Sequence, residues 1–237
     1  MISHAYKALI ANKLKTFLII ISLIFSIVSI FLISSISNGV ISMYSSMLKS
    51  DGDIIITQAK ISDTFFSNVD INLIKEIEYL KNINEAGAMI VGASPVEKLP
   101  IVAIYGVTQN RFKNYKLEKG KYPLNNEVIV GKSIFEQLSN RNEVQIANKT
   151  FKISGVFESE IGFENGGIVL NISDAGEIFN KSASMILVNT ALNSDIEEII
   201  KEIKTLSKDI DVKSTQNFVD NYNQFKIIKT SSNVISF

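Results

Sequence analysis

"LIKEIEYL" at Leu73–Leu80 and "IIKEIKTL" at Ile199–Leu206 set out the same apolar pattern twice, more than 100 residues apart. In the first copy Ile71, Ile74, Ile77 and Leu80 recur every three residues with Leu73 beside them, and Lys75, Glu76 and Glu78 take the opposite side. That spacing places the isoleucines on one helical face. Asp70 stands where a capping side chain is expected. In the second copy Asp195 holds the cap position, and Ile196, Ile199, Ile200, Ile203 and Leu206 make the stripe.

Short apolar runs flank both helices. "GDIIITQ" (Gly52–Gln58) precedes the first, and "GAMIVGA" and "LPIVAIYGV" follow it; "MILVNT" (Met185–Thr190) precedes the second, and "DIDVKST" follows it. An Ile/Lys/Glu-rich chain can produce look-alike helices without any deeper relation. The favoured reading is a duplicated βαβ whose halves share one sheet, a ferredoxin-like layer of helices over strands. Each stripe needs burial, and burying four or five such side chains contributes on the order of 5–10 kcal/mol per helix before entropy is counted.

The middle, roughly Tyr105–Lys181, has a different texture. "NEVIVGKSIFEQL" reads as a strand and a short helix, and "EVQIANKTFKISGVF" as a β-hairpin turning through Ala147-Asn148-Lys149. Asn148 suits the left-handed turn position. "GGIVLNI" is a further strand and "SDAGEIF" a capped helical turn. The expectation is a β-rich module inserted between the two βαβ halves.

Before all of this, Phe17–Ile36 is a run of 20 residues, five serines and fifteen apolar, with no charge between Lys15 and Lys49. Twenty helical residues span roughly 30 Å, the thickness of a bilayer's hydrocarbon core. The serines are tolerable because a helical hydroxyl can bond back to a carbonyl in the preceding turn. A cleaved signal would want a shorter apolar core and a small-residue site, and Ser35-Ile36-Ser37 is a poor one. A retained anchor, bounded by Phe17 and Ile36, is therefore favoured over a signal peptide. Lys7, Lys13 and Lys15 precede it and no acidic residue appears before Asp51. The positive-inside bias puts the N-terminus in the cytoplasm and the main domain outside the cytoplasmic (inner) membrane.

Composition removes several function classes. With 24 basic and 24 acidic residues, nothing favours nucleic acid. Gly131-Lys132-Ser133 imitates the end of a phosphate loop, but position 126 is Asn where a second glycine is needed, so ATP binding by this chain is rejected. Without cysteine there is no disulfide, thiolate or cysteine-zinc site, and His4, the one histidine, lies before the anchor. Carboxylates gather only at Glu158, Glu160 and Glu164 in "FESEIGFENGG", read first as an exposed flexible loop, with a cation site or docking tip as the sharper alternatives. No catalytic, cofactor-binding or metal residue is assigned, and the chain is not expected to be an enzyme.

In this order, "AYKALIANKLKTFL" leading into the apolar run, "GKYPLNNEVIVGKSIFEQL", "IANKTFKISGVF" and "GGIVLNISDAGEIF" resemble the MacB/FtsX-type ABC transporter permeases. The resemblance implies a MacB-like periplasmic core domain, with a porter-like βαβ subdomain interrupted by a β-rich one. Residues 1–40 would be cytoplasmic stub and membrane helix, 41–104 and 182–217 the porter-like part, and 105–181 the insertion. Residues 218–237 would lead toward a second membrane segment.

Family members continue into three more membrane helices. Val234, Ile235 and Phe237 are too few to span, while Phe218, Tyr222, Phe225 and Ile228 share one helical face. An N-terminal fragment is expected. The resemblance further implies a separate cytoplasmic ABC ATPase subunit, a second permease copy or homologue forming a dimer, membrane lipid, and room for a periplasmic adaptor. It would couple ATP hydrolysis to export or to mechanical work outside the membrane, with no cofactor of its own. The alternative is a membrane-anchored extracytoplasmic sensor domain. Such domains usually begin with a long helix straight out of the membrane, and the Asp51-Gly52-Asp53 break is held against that. A secreted protein with an unusual signal is the weakest reading.

Overall fold

The computed structural model describes residues 11–61, 63–139, 141–159 and 164–221. The chain divides into two units: Met1–Tyr44 with Asn223–Phe237, and Ser45–Tyr222. Most of the expected segment 218–237, including Tyr222, Phe225 and Ile228, lies outside the described residues.

Helix α1 (Lys13–Asp51) has 39 residues. Its serines bond back as expected: the Oγ atoms of Ser22, Ser26 and Ser29 donate to the carbonyls of Leu18, Ser22 and Phe25 at 2.8–2.9 Å. Asn38 and Gly39, residue types that favour turns, are helical. A lone glycine costs a helix only about 1 kcal/mol, which a helix of 39 residues can absorb. The long helix whose absence was held against a sensor is therefore present.

The second unit is built on one ten-stranded sheet. Its strands are β1 (Ile54–Gln58), β2 (Ile83–Val96), β3 (Leu99–Val107), β4 (Leu117–Gly120) and β5 (Glu127–Gly131). They continue with β6 (Glu143–Ile146), β7 (Lys149–Phe157), β8 (Gly167–Asn171), β9 (Met185–Thr190) and β10 (Ile210–Ser214). The order is β10-β1-β9-β2-β3-β8-β5-β7-β4. The first four are antiparallel neighbours, so β1 and β2 run parallel with β9 between them, and β9 and β10 with β1 between them. These are two interleaved split βαβ units, the ferredoxin-like order the repeat calls for.

Helices α2 (Leu73–Glu78) and α5 (Ile196–Leu206) bring their stripes into one core. Leu73, Ile77, Ile199, Ile200 and Ile203 pack there against Ile54, Ile56, Ile186, Val188 and Val212. Ile55 and Leu187 point to the opposite face and are buried as well, which is why these strands read as apolar runs without alternation. Asp195 caps α5, its Oδ1 accepting from the amides of Glu197 and Glu198. Asp70 does not cap α2. It accepts from the Asn72 amide in a local turn, and the helix starts one residue beyond Asn72.

The second core lies between β2, β3, β8, β5, β7 and β6. Their pairings form a ring: β3 runs parallel to β8, β8 pairs β5, β5 pairs β7, β7 pairs β6, and β6 returns to β2 through Val96 and Ile146. Ile104, Val130, Phe151, Val156 and Leu170 fill it. Helices α3 (Lys132–Gln137) and α4 (Ile172–Phe179) add Ile134 and Ala175. Strand β2 serves both cores, giving Ala86 and Ala88 to the first and Ile90 and Val96 to the second. The β6–β7 hairpin is where the alternation put it, but the positive φ falls on Ala147 (52°) and not on Asn148. Helix α6 (Thr215–Asn221), the last among the described residues, buries Phe218 and Val219.

Candidate functional site

An apolar helix in a water-soluble fold turns one face inward. The stretch Lys13–Ile33 does not: Phe17, Ile19, Leu23, Phe25, Phe31 and Ile33 are exposed around the whole circumference, Phe17 by 60%. Such a surface calls for a hydrocarbon solvent. Ile36 falls within α1, three residues past that stretch. Lys13 and Lys15 are exposed at its start. Lys7 and His4 lie outside the described residues.

The two motifs that imitate chemistry are explained by packing. Gly131 sits in extended backbone, and a Cβ there would meet the Asn165 carbonyl oxygen at 2.4 Å. The glycine is required by that close approach. Lys132 reaches Glu118 (3.4 Å) and Glu158 (3.5 Å), and the hydrogen bond to Glu118 leads the effects that raise its pKa. In the acidic loop, Glu164 is buried (7% exposed), contrary to the exposed reading, and accepts from the Ser159 hydroxyl. Asn165 clasps both the amide and the carbonyl of Ser159. Glu160 lies outside the described residues.

Where α1 gives way to β1, three distant segments meet. The Asp53 carboxylate accepts from the amide (2.8 Å) and hydroxyl (2.9 Å) of Thr190, 137 residues on. The Asp53 amide donates to the Val188 carbonyl (2.9 Å), and its own carbonyl accepts from the Thr215 amide (2.8 Å). Thr215 Oγ1 donates to the Gly52 carbonyl at 2.6 Å, across 163 residues. Thr215 is 3% exposed. A Cβ at Gly52 would stand 3.0 Å from the Val188 carbonyl oxygen, so the glycine lets the incoming backbone lie against β9. Sequence reasoning took Asp51-Gly52-Asp53 only as a break and passed over Thr190 and Thr215. No local spacing signals bonds this long.

The profile of the MacB-like periplasmic core domain family matches residues 16–206. The chain belongs to that family. It is thus part of a MacB/FtsX-type ABC transporter permease, and its fold agrees. The periplasmic region of MacB from Actinobacillus actinomycetemcomitans superposes with a TM-score of 0.58 at 12% identity, over 73% of this chain and 92% of that one. The extracellular domain of the noncanonic ABC-type transporter YknZ from Gram-positive bacteria does so with 0.56 at 11% identity, over 68% and 98%. Among curated proteins, none is similar enough to match. With its apolar helix, this MacB-like core makes the chain a membrane-anchored protein with an extracytoplasmic domain.

Proposed function

We propose that the chain is the outer part of a permease subunit that carries the work of ATP hydrolysis in a separate cytoplasmic subunit to the far side of the membrane. Its N-terminus is cytoplasmic, with Lys13 and Lys15 on that side. It works in a dimer and as a moving body, without a catalytic site of its own. The observation that carries this is the family profile, which matches residues 16–206 and so takes in both the exposed apolar helix and the outer sheet. In such a subunit the outer domain would follow its membrane helices between two packed arrangements biased by nucleotide on the partner. Cargo could be a peptide, lipoprotein, lipid or drug, or the work could be purely mechanical.

The chain has no cysteine, so Lys121→Cys in β-rich surroundings accepts a single spin label, on a side chain that is 64% exposed. In the permease reconstituted with its ATPase, trapping ATP should change the label-to-label distance between protomers. An identical distance distribution with and without nucleotide would remove the mechanism. A membrane-anchored sensor is the second reading, favoured by the same long helix; a kinase or methyl-accepting partner in place of an ATPase would establish it.

A further inference from the structure

We infer that Gly52, Asp53, Thr190 and Thr215 form a cooperative joint that makes the end of α1, the end of β9 and the start of α6 move as one piece. Its use rests on the proposed function; its existence rests on geometry alone. The chain enters the sheet through two residues, Gly52 and Asp53, and goes on into α6 through Thr215 immediately after β10. Strand β1 lies between β9 and β10 with Ile54 opposite both Val188 and Ser214, so these passages are held at the same end of the sheet.

The last backbone bonds, from the Asp53 amide to Val188 and from the Thr215 amide to the Asp53 carbonyl, are extended here by side chains. Asp53 spans sideways to Thr190, and Thr215 reaches back to Gly52 with its hydroxyl in a site closed to water. The Ser214 hydroxyl in turn accepts from the Asn217 amide in the first turn of α6. Hydrogen bonds in such a network polarise one another, and the buried Thr215 hydroxyl has no water to fall back on, while the exposed Asp53 carboxylate closes the rim with its two bonds to Thr190. Opening one member therefore exposes the others. A displacement of the end of α1 is delivered to the end of β9 and the start of α6 together, before any strand has to slip.

The test uses the chain in lipid nanodiscs, with amide hydrogen exchange read residue by residue. Thr215→Val removes the hydroxyl and keeps the shape. The Thr190 amide, whose bond to Asp53 does not involve Thr215, should then exchange about tenfold faster, together with that of Asp53. Amides of Ile56 and Leu187 at the sheet centre should not change, and Thr215→Ser should restore protection. Thr190→Val approaches from the other side and should free the Thr215 amide. If each variant speeds only its own amide, the three segments are independent and the joint is refuted. Since no ATPase is present, that outcome would leave the proposed function standing, and failure of the nucleotide test would leave the joint standing.

Discussion

In one half of the outer domain two helices lie across four strands; in the other, six strands pair into a ring with α3 and α4 packed against it. The helix-on-sheet core is made by isoleucine stripes meeting alternate positions of β1, β9 and β10. Long branched side chains fill that space, so the requirement is apolarity at a set period. The ring has a different demand. A Cβ at Gly106 of β3 would stand 2.1 Å from the Ala175 Cβ of α4, and one at Gly92 of β2 would lie 2.3 Å from the Phe179 ring. Here backbone meets side chain with nothing between. The first core is sensitive to polarity and the second to size.

The sharpest way to break that contrast is a charge in the first core. Ile77 and Ile203 are fully buried, and Ile77→Asp or Ile203→Asp places a carboxylate where no partner exists, at a cost above about 4 kcal/mol. Because β2 belongs to both cores, thermal unfolding should fail as a single event, with protection lost from Ile104 and Leu170 as well as from Ile54. Protection surviving at Ile104 and Leu170 would mean two independent cores; wild-type stability in either variant would mean the stripes share none.

Size comes next. Gly106→Val forces α4 away from β3 and should cost about 2–3 kcal/mol, read as a lower denaturant midpoint at unchanged slope. Ile203→Val, which only removes one methylene from the first core, should cost about 1 kcal/mol. Equal losses in the two variants would erase the distinction drawn above.

The smallest effect belongs to the outside of the ring. Lys149 reaches Glu177 (2.8 Å) and Asp174 (3.2 Å), and the hydrogen bond to Glu177 is the main cause of a pKa above the ordinary lysine value of 10.5. A raised folded pKa contributes stability that is complete below 10.5 and disappears as pH rises through the folded value. Lys149 is one-third exposed, so solvent keeps the gain to about 0.5 kcal/mol. Denaturation of wild type and Lys149→Met should differ slightly at neutral pH and converge above the lysine range. A gap that persists there would assign the loss to packing against Phe151 instead.

These differences also explain what could be seen in the chain beforehand. The stripes at Ile199, Ile200 and Ile203 and the cap at Asp195 were legible because helix periodicity and capping are local. That β1 and β9 share one sheet followed, since neither βαβ half could bury its stripe alone; that they are direct neighbours did not. The hairpin at Ala147 was legible as alternation, but which residue turns left-handed depends on the register of β6 against β7. Closure of the ring through Val96 and Ile146 was not legible, because one bridge leaves no periodic trace. Nor was the joint at Asp53, Thr190 and Thr215, whose partners are brought together only by the finished sheet.

Strand β1 has both of its neighbours, β9 and β10, from the far end of the chain. During synthesis Ile54, Ile55 and Ile56 emerge when neither neighbour has yet been made, while the ring can already pair β3, β5, β7 and β8. A nascent chain therefore carries a bare apolar strand with two open edges while the more than 100 residues between β1 and β9 are made, the form most prone to wrong pairing. The folding hazard of this protein is concentrated at its earliest strand, and relief arrives only with residues 185–214.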